Sequence, residues 1–189
     1  MNTQDNIRSE GTITAVGGFV IGAAGGINPI NAPTGIANKE VDVATTGTDT
    51  TPASGTQYVT SLYIPENFTI TNVNWLIGTV GGTDRVYAVI YSSTGAVLGN
   101  STLAANGTVV GTTANIQTLA LTAPIIVKGP QRIFIGISIN GNTSRIRTVS
   151  AHTQSGILGG TVSQTHATVA AITVPTTFTA NTAPFVFVN

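Results

Sequence analysis

From residue 56 onward the chain alternates apolar and polar positions with the two-residue period of a pleated strand. Residues 57–64 (QYVTSLYI) alternate and are stopped by Pro65-Glu66-Asn67. Residues 68–77 (FTITNVNWLI) alternate again, with Phe68, Ile70 and Asn72 on one face and Val73, Trp75 and Ile77 on the other. That change of face near Asn72 suits a β-bulge. Residues 78–84 (GTVGGTD) form a turn, 85–92 a buried strand, 93–95 a hairpin loop and 96–103 its return strand. A weaker stretch over 106–115 precedes a strand at 116–121. Lys128-Gly129-Pro130 then turns the chain into 132–140 (RIFIGISIN), the clearest strand of all. Asn140-Gly141 reverses it into 145–149, and the tail supplies strands at 168–174 and 184–188, the last placed beside an early strand. No apolar stripe recurs at the helical period, so almost no helix is expected. Strands at this spacing, without a repeating motif, predict an all-β fold: an antiparallel β-sandwich, jelly-roll-like.

Residues 1–55 have a different texture. They are Gly, Ala, Thr and Pro with short apolar runs, ending in the linker-like ATTGTDTTPASG at 44–55. Such a segment cannot build a core of its own. The expected organisation is an extended N-terminal arm and linker over 1–55, followed by the sandwich domain over 56–189. Residues 1–10 are polar and carry acids, unlike the basic start of a signal peptide. Residues 11–38 carry no charge. The run GGFVIGAAGG at 17–26 holds too many glycines for a membrane span, which needs about 20 strongly apolar residues. Its expected role is an arm that packs on a partner through Ile13, Phe19, Val20, Ile21, Ile27 and Ile30, with no membrane contact.

Composition narrows the function classes. The chain has no cysteine, which removes disulfides, thiolate metal sites and thiol nucleophiles together. Charged residues are 7% of the chain, against about 25% in an average globular domain. Disorder through charge is not the reason, because mean hydropathy is +0.30 and 41% of residues are apolar. Thr, about a sixth of the chain, takes the place of charge and suits a half-buried pleated surface. Zero net charge argues against nucleic acid, which needs clustered Lys and Arg. The seven acids all lie within the first 84 residues, beside only Arg8 and Lys39, so that portion carries −5 and the remainder +5. Two readings are open: head-to-tail attraction between copies, or chance segregation of few charges.

Candidate chemistry is sparse. Beyond Asp84 there is no carboxylate, so an acid–base pair would need Glu66, Asp84 or the arm. His152 and His166 lack metal-ligand spacing, and Ser155 and Ser163 near them lack a nucleophile elbow or a local acid. The glycines of 17–26 match no phosphate-binding loop, and Glu40, Asp42 and Asp49 match no compact calcium loop. No enzyme activity and no cofactor is expected. Glycosylation sequons at Asn67, Asn100, Asn106 and Asn142 are as frequent as this composition produces by chance. Trp75, Tyr58, Tyr63, Tyr87 and Tyr91 either line a sugar platform or fill the sandwich core. Arg145 and Arg147 share a face at period two. With Arg132 they form either a basic patch for an acidic partner or an ordinary solvated face.

The segments Tyr58–Ile64, PENFTITNVNWLIGTVGGTDRVYAVIYSSTGAVLGNST (65–102) and TLALTAPIIVKGPQRIFIGISING (118–141) resemble a β-sandwich module of tailed-phage virion proteins. The resemblance rests on turns and strand pattern: the GTVGGTD turn, a strand ending in YSSTG, and a Gly-Pro turn before a long strand. The tail AITVPTTFTANTAPFVFVN is similar as well. It implies a structural role: a capsid decoration (cement) protein on the virion surface, or alternatively a carbohydrate- or receptor-binding module of a fibre or tail. The implied partners are the major capsid protein and the chain itself as a homo-oligomer, a trimer, with arms reaching to neighbours.

Overall fold

The computed structural model describes residues 36–37, 47–150 and 156–189, the first pair by backbone alone. Alternation becomes thirteen strands: β1 (Ile36–Ala37), β2 (Thr48–Thr50), β3 (Thr56–Ile64), β4 (Phe68–Leu76), β5 (Arg85–Tyr91), β6 (Val97–Asn100), β7 (Thr108–Val109), β8 (Ile116–Val127), β9 (Gln131–Ile139), β10 (Ile146–Val149), β11 (Gly159–Ser163), β12 (Ala183–Pro184) and β13 (Val186–Val188). One 3₁₀ turn, Ala104–Asn106, is the helical content of the described residues. The larger sheet runs β11-β3-β9-β5-β6, with β7 also on β5. The facing sheet runs β1-β13-β4-β8 and continues into β12-β10-β2 through the Ile77–Ile146 bridge. The chain crosses between the sheets at β2–β3, β3–β4, β4–β5, β7–β8, β8–β9, β9–β10, β10–β11 and β11–β12, the antiparallel two-sheet sandwich expected of the sequence.

The core lies between the sheets. Leu62, Ile64, Val86, Ala88, Ile90, Ile133, Ile135, Ile137 and Ile139 from the larger sheet meet Ile70, Val73, Trp75, Ile77, Leu119, Val186 and Val188 from the other. The face change expected near Asn72 is present. The β4–β8 register moves from Ile70↔Ile125 to Asn72↔Ala120, so residues 121–124 of β8 stand opposite the single Thr71. Ile70 and Val73 thereby both reach the core although three positions apart.

The larger sheet is buried on its outer face as well, which is why β5 reads as an unbroken apolar run. Val59, Tyr87, Val89, Tyr91 and Phe134 form a second cluster there, packed under Leu158, Val162, Val169, Ile172 and Val174. The strand expected at 168–174 is not a strand. That sheet ends in β11 on one side and in β6 and β7 on the other, and 168–174 joins neither edge. The segment crosses the face instead and uses its apolar residues as a cover. Its anchors include Ile172 N donating to Gly95 O (3.0 Å), Tyr87 Oη to Thr168 O (3.1 Å) and Gln164 Nε2 to Thr168 O (2.7 Å). Gly95, in the expected hairpin loop, has φ +87°, and a Cβ there would run into the Ile172 carbonyl.

Two short segments upstream of residue 56 also pair with the sheets. β2 lies within the linker-like stretch and pairs with β10, while Ile36–Ala37 pairs with β13. The final strand sits beside an early one, as expected: β13 joins β4.

Candidate interaction surface

Two of the carboxylates that sequence reading offered as chemistry, Asp84 and Asp49, are occupied in bracing turns. Asp84 Oδ2 accepts from Ser144 N (2.7 Å), Thr143 N (3.0 Å) and Thr143 Oγ1 (2.8 Å). Partial burial alone would raise its pKa, but these bonds to the charged form outweigh it and leave the carboxyl below its ordinary value. The Thr143 hydroxyl proton serves either Asp84 or, at 2.6 Å, Gly81 O, and Ser144 Oγ donates to Gly81 O at 3.0 Å, so the GTVGGTD turn is clamped to the turn after β9. Gly141 is needed there because a Cβ would run into the Asp84 carboxylate.

Arg145, just before β10, and Arg147 within it alternate with the core residue Ile146 and lie on the other side from it, as the period-two spacing predicts. Arg147 Nη2 lies 3.2 Å from Asp49 Oδ1, a charge contact without hydrogen-bond alignment. Asp49 Oδ2 takes Thr79 N (3.0 Å) and Thr79 Oγ1 (2.6 Å). Arg145 Nη1 donates to Asn142 O at 2.9 Å. Arg132 is not part of this group. It lies on β9 of the opposite sheet, facing outward, with Nη2 3.4 Å from Gly156 O. The three arginines therefore do not make one basic patch, because the sandwich core separates the sheet faces that carry them.

The aromatic platform is likewise corrected. Trp75, Tyr87 and Tyr91 have no exposed surface and Tyr58 almost none. Trp75 is core, and its Nε1 is buried without a hydrogen-bond partner. Tyr91 Oη sits 2.6 Å from Gln57 Oε1 and 3.0 Å from Gln164 Oε1; one phenol proton serves one of these at a time. Burial pushes the Tyr91 hydroxyl up to about 12, against the lowering effect of the Gln57 bond. Tyr63 alone of the five is open to solvent, 58% exposed.

His166 joins the cover to the sheet. Its Nε2 is 2.8 Å from Asn106 O and its Nδ1 3.1 Å from Ser138 Oγ, and its ring stacks edge-on against Tyr87 at 4.9 Å. A carbonyl can only accept, so Nε2 carries a proton and donates to Asn106, while Nδ1 and the Ser138 hydroxyl pair with each other. Ser138 is buried beneath the cover, so this Ser–His contact fastens a segment. Ser163 ends β11, exposed. His152, Ser155, Glu40 and Asp42 lie outside the described residues, as do Ile13, Phe19, Val20, Ile21, Ile27 and Ile30.

What sequence reading missed is an apolar surface where the two sheets meet. Residues 121–124 of β8 leave the β4 register and reach β6: Ser101 bridges Leu121, and Thr122 Oγ1 donates to Asn100 O (3.0 Å). Gly99 lets Ile125 lie against β6, since a Cβ there would stand 2.6 Å from Ile125 Cδ1. Around this corner Ile126 is 74% exposed, Leu98 39% and Val97 37%, with Ala96, Ala123 and Pro124 exposed beside them. The signal was present in the sequence: no charged residue occurs from Val86 to Val127. Edge strands of soluble proteins are commonly guarded by charge; this edge is not.

No protein-family model matches this sequence, and no curated protein matches it.

Proposed function

We propose that this chain is a structural virion protein of the capsid decoration type, which binds the outside of a phage capsid and bridges its subunits. The observation that carries the reading is the β6–β8 edge, an apolar and charge-free surface held by a rigid double-sheet body. We read the exposed apolar positions gathered at this corner as a contact surface. The resemblance of residues 58–102 and 118–141 to phage virion modules suggests the partner class: the major capsid protein and sister copies. Each bound copy adds apolar contacts across a subunit boundary, and the shell cannot part there without breaking them. Removing residues 1–35 from the protein is expected to weaken its binding to capsids that lack it, read by co-sedimentation. Undiminished binding by the shortened protein would overturn the arm's share in the role.

A fibre or receptor-binding module is the second reading, favoured by Tyr63. Its exposed ring lies directly across the strand pair from the exposed Arg132. A ring beside a guanidinium is a minimal contact set for a sugar. Binding to a glycan array that disappears in Tyr63→Ala would support this reading over capsid attachment.

A further inference from the structure

We infer that the β6–β8 edge is the seat for residues 11–35 of a second copy of this chain, so that copies join head to tail by exchanging arms. This rests on the arm reading proposed above and names the surface that receives the arm.

Charge is the first ground. The chain has three long stretches without a charged residue, residues 11–38, 86–127 and 148–189, and the first two concern the arm and the seat. The second supplies β6, β7 and β8, and with them the exposed Val97, Leu98 and Ile126. The first supplies Ile13, Phe19, Val20, Ile21, Ile27 and Ile30, spaced by Gly and Ala. An apolar seat without charges suits an apolar segment without charges, since neither side then buries an unpaired ion.

Geometry is the second ground. Another rigid strand edge cannot pair along the whole of β8, because residues 121–124 break its register and turn toward β6. A segment rich in glycine can follow that corner and approach closely. The point of attachment fits as well. Ile36–Ala37 is held on β13, at the opposite end of the β1-β13-β4-β8 sheet from β8. An arm leaving one edge and a seat on the other make a heterologous contact, which closes into a ring or runs on as a chain. Reach is ample: strands lie about 4.8 Å apart, whereas 25 residues can span up to about 80 Å. The opposite charges of the two portions of the chain, −5 up to residue 84 and +5 beyond, favour the same head-to-tail order.

The test uses the full chain in solution without capsids, so that its outcome is separate from capsid attachment. Self-association is followed by analytical ultracentrifugation for the native chain, for Ile126→Lys in the seat and for Phe19→Asp in the arm. Ile126 is exposed, so its variant is expected to keep the native unfolding midpoint. The native chain should associate, and each variant should associate about tenfold more weakly or worse. Mixing the two variants should restore pairing, because the intact arm of one meets the intact seat of the other. A native chain that stays monomeric, an association that Phe19→Asp leaves untouched, or a mixture that stays apart would each overturn the inference.

Discussion

At the scale of single residues, the few ionisable groups of the body serve turns and covers. Asp84 is the clearest case, gathering up to three hydrogen bonds from Thr143 and Ser144 on one oxygen. Its carboxyl is held below the usual value in the folded chain, so the folded state binds the proton less readily than the unfolded one. The resulting stabilisation is complete above the unfolded value of about 3.9. It is lost as pH falls through the lower folded value. Urea midpoints at neutral pH and near pH 3 should therefore fall further for the native protein than for Asp84→Asn; equal falls would show that the clamp contributes nothing. Single residues also mark a limit of sequence reading. Trp75 and the tyrosines have the same chemistry on a platform as in a core, and only the register of β4, β5 and β3 against their neighbours buries four of the five.

At the scale of elements, periodicity carried much of the information. The alternation in residues 57–64, 68–77, 85–92 and 132–140 corresponds to β3, β4, β5 and β9, and the face change at Asn72 marks a true bulge. Residues 168–174 were misread because their apolar content suits a strand. These residues instead cover the outer-face cluster of Val59, Tyr87, Val89, Tyr91 and Phe134, a non-local fact that no local pattern encodes. The amides of Val169, Ala170 and Ala171 are accordingly expected to exchange with solvent hydrogen much faster than those of Val89, Ile135 and Ile137 in the central strands. Comparable protection would mean that 168–174 is laddered after all. Tyr91 links the sheet to this cover through Gln57 and Gln164. Tyr91→Phe removes the donor that the buried Gln57 and Gln164 amide oxygens share, and should cost about 1–3 kcal/mol in unfolding measurements. Exchange across the cover should quicken with it.

At the scale of the whole molecule, the sandwich is a rigid support whose outer faces differ. One face is sealed by its cover, and the corner between β6 and β8 leaves apolar side chains open. The sandwich was legible in the alternation of strands and turns. The open corner was not, because it depends on β8 leaving its register to meet β6. Its trace in the sequence was an absence of charge, which composition averaged over the whole chain conceals. The proposed capsid-coating role would give such a corner a use. The most direct test is the number of copies of this chain in each purified particle, by quantitative mass spectrometry against the major capsid protein. Decoration predicts one copy per capsid subunit or a simple fraction of that number. A few tens of copies or fewer would contradict it and favour a fibre or tail location, and absence from particles would end the virion reading.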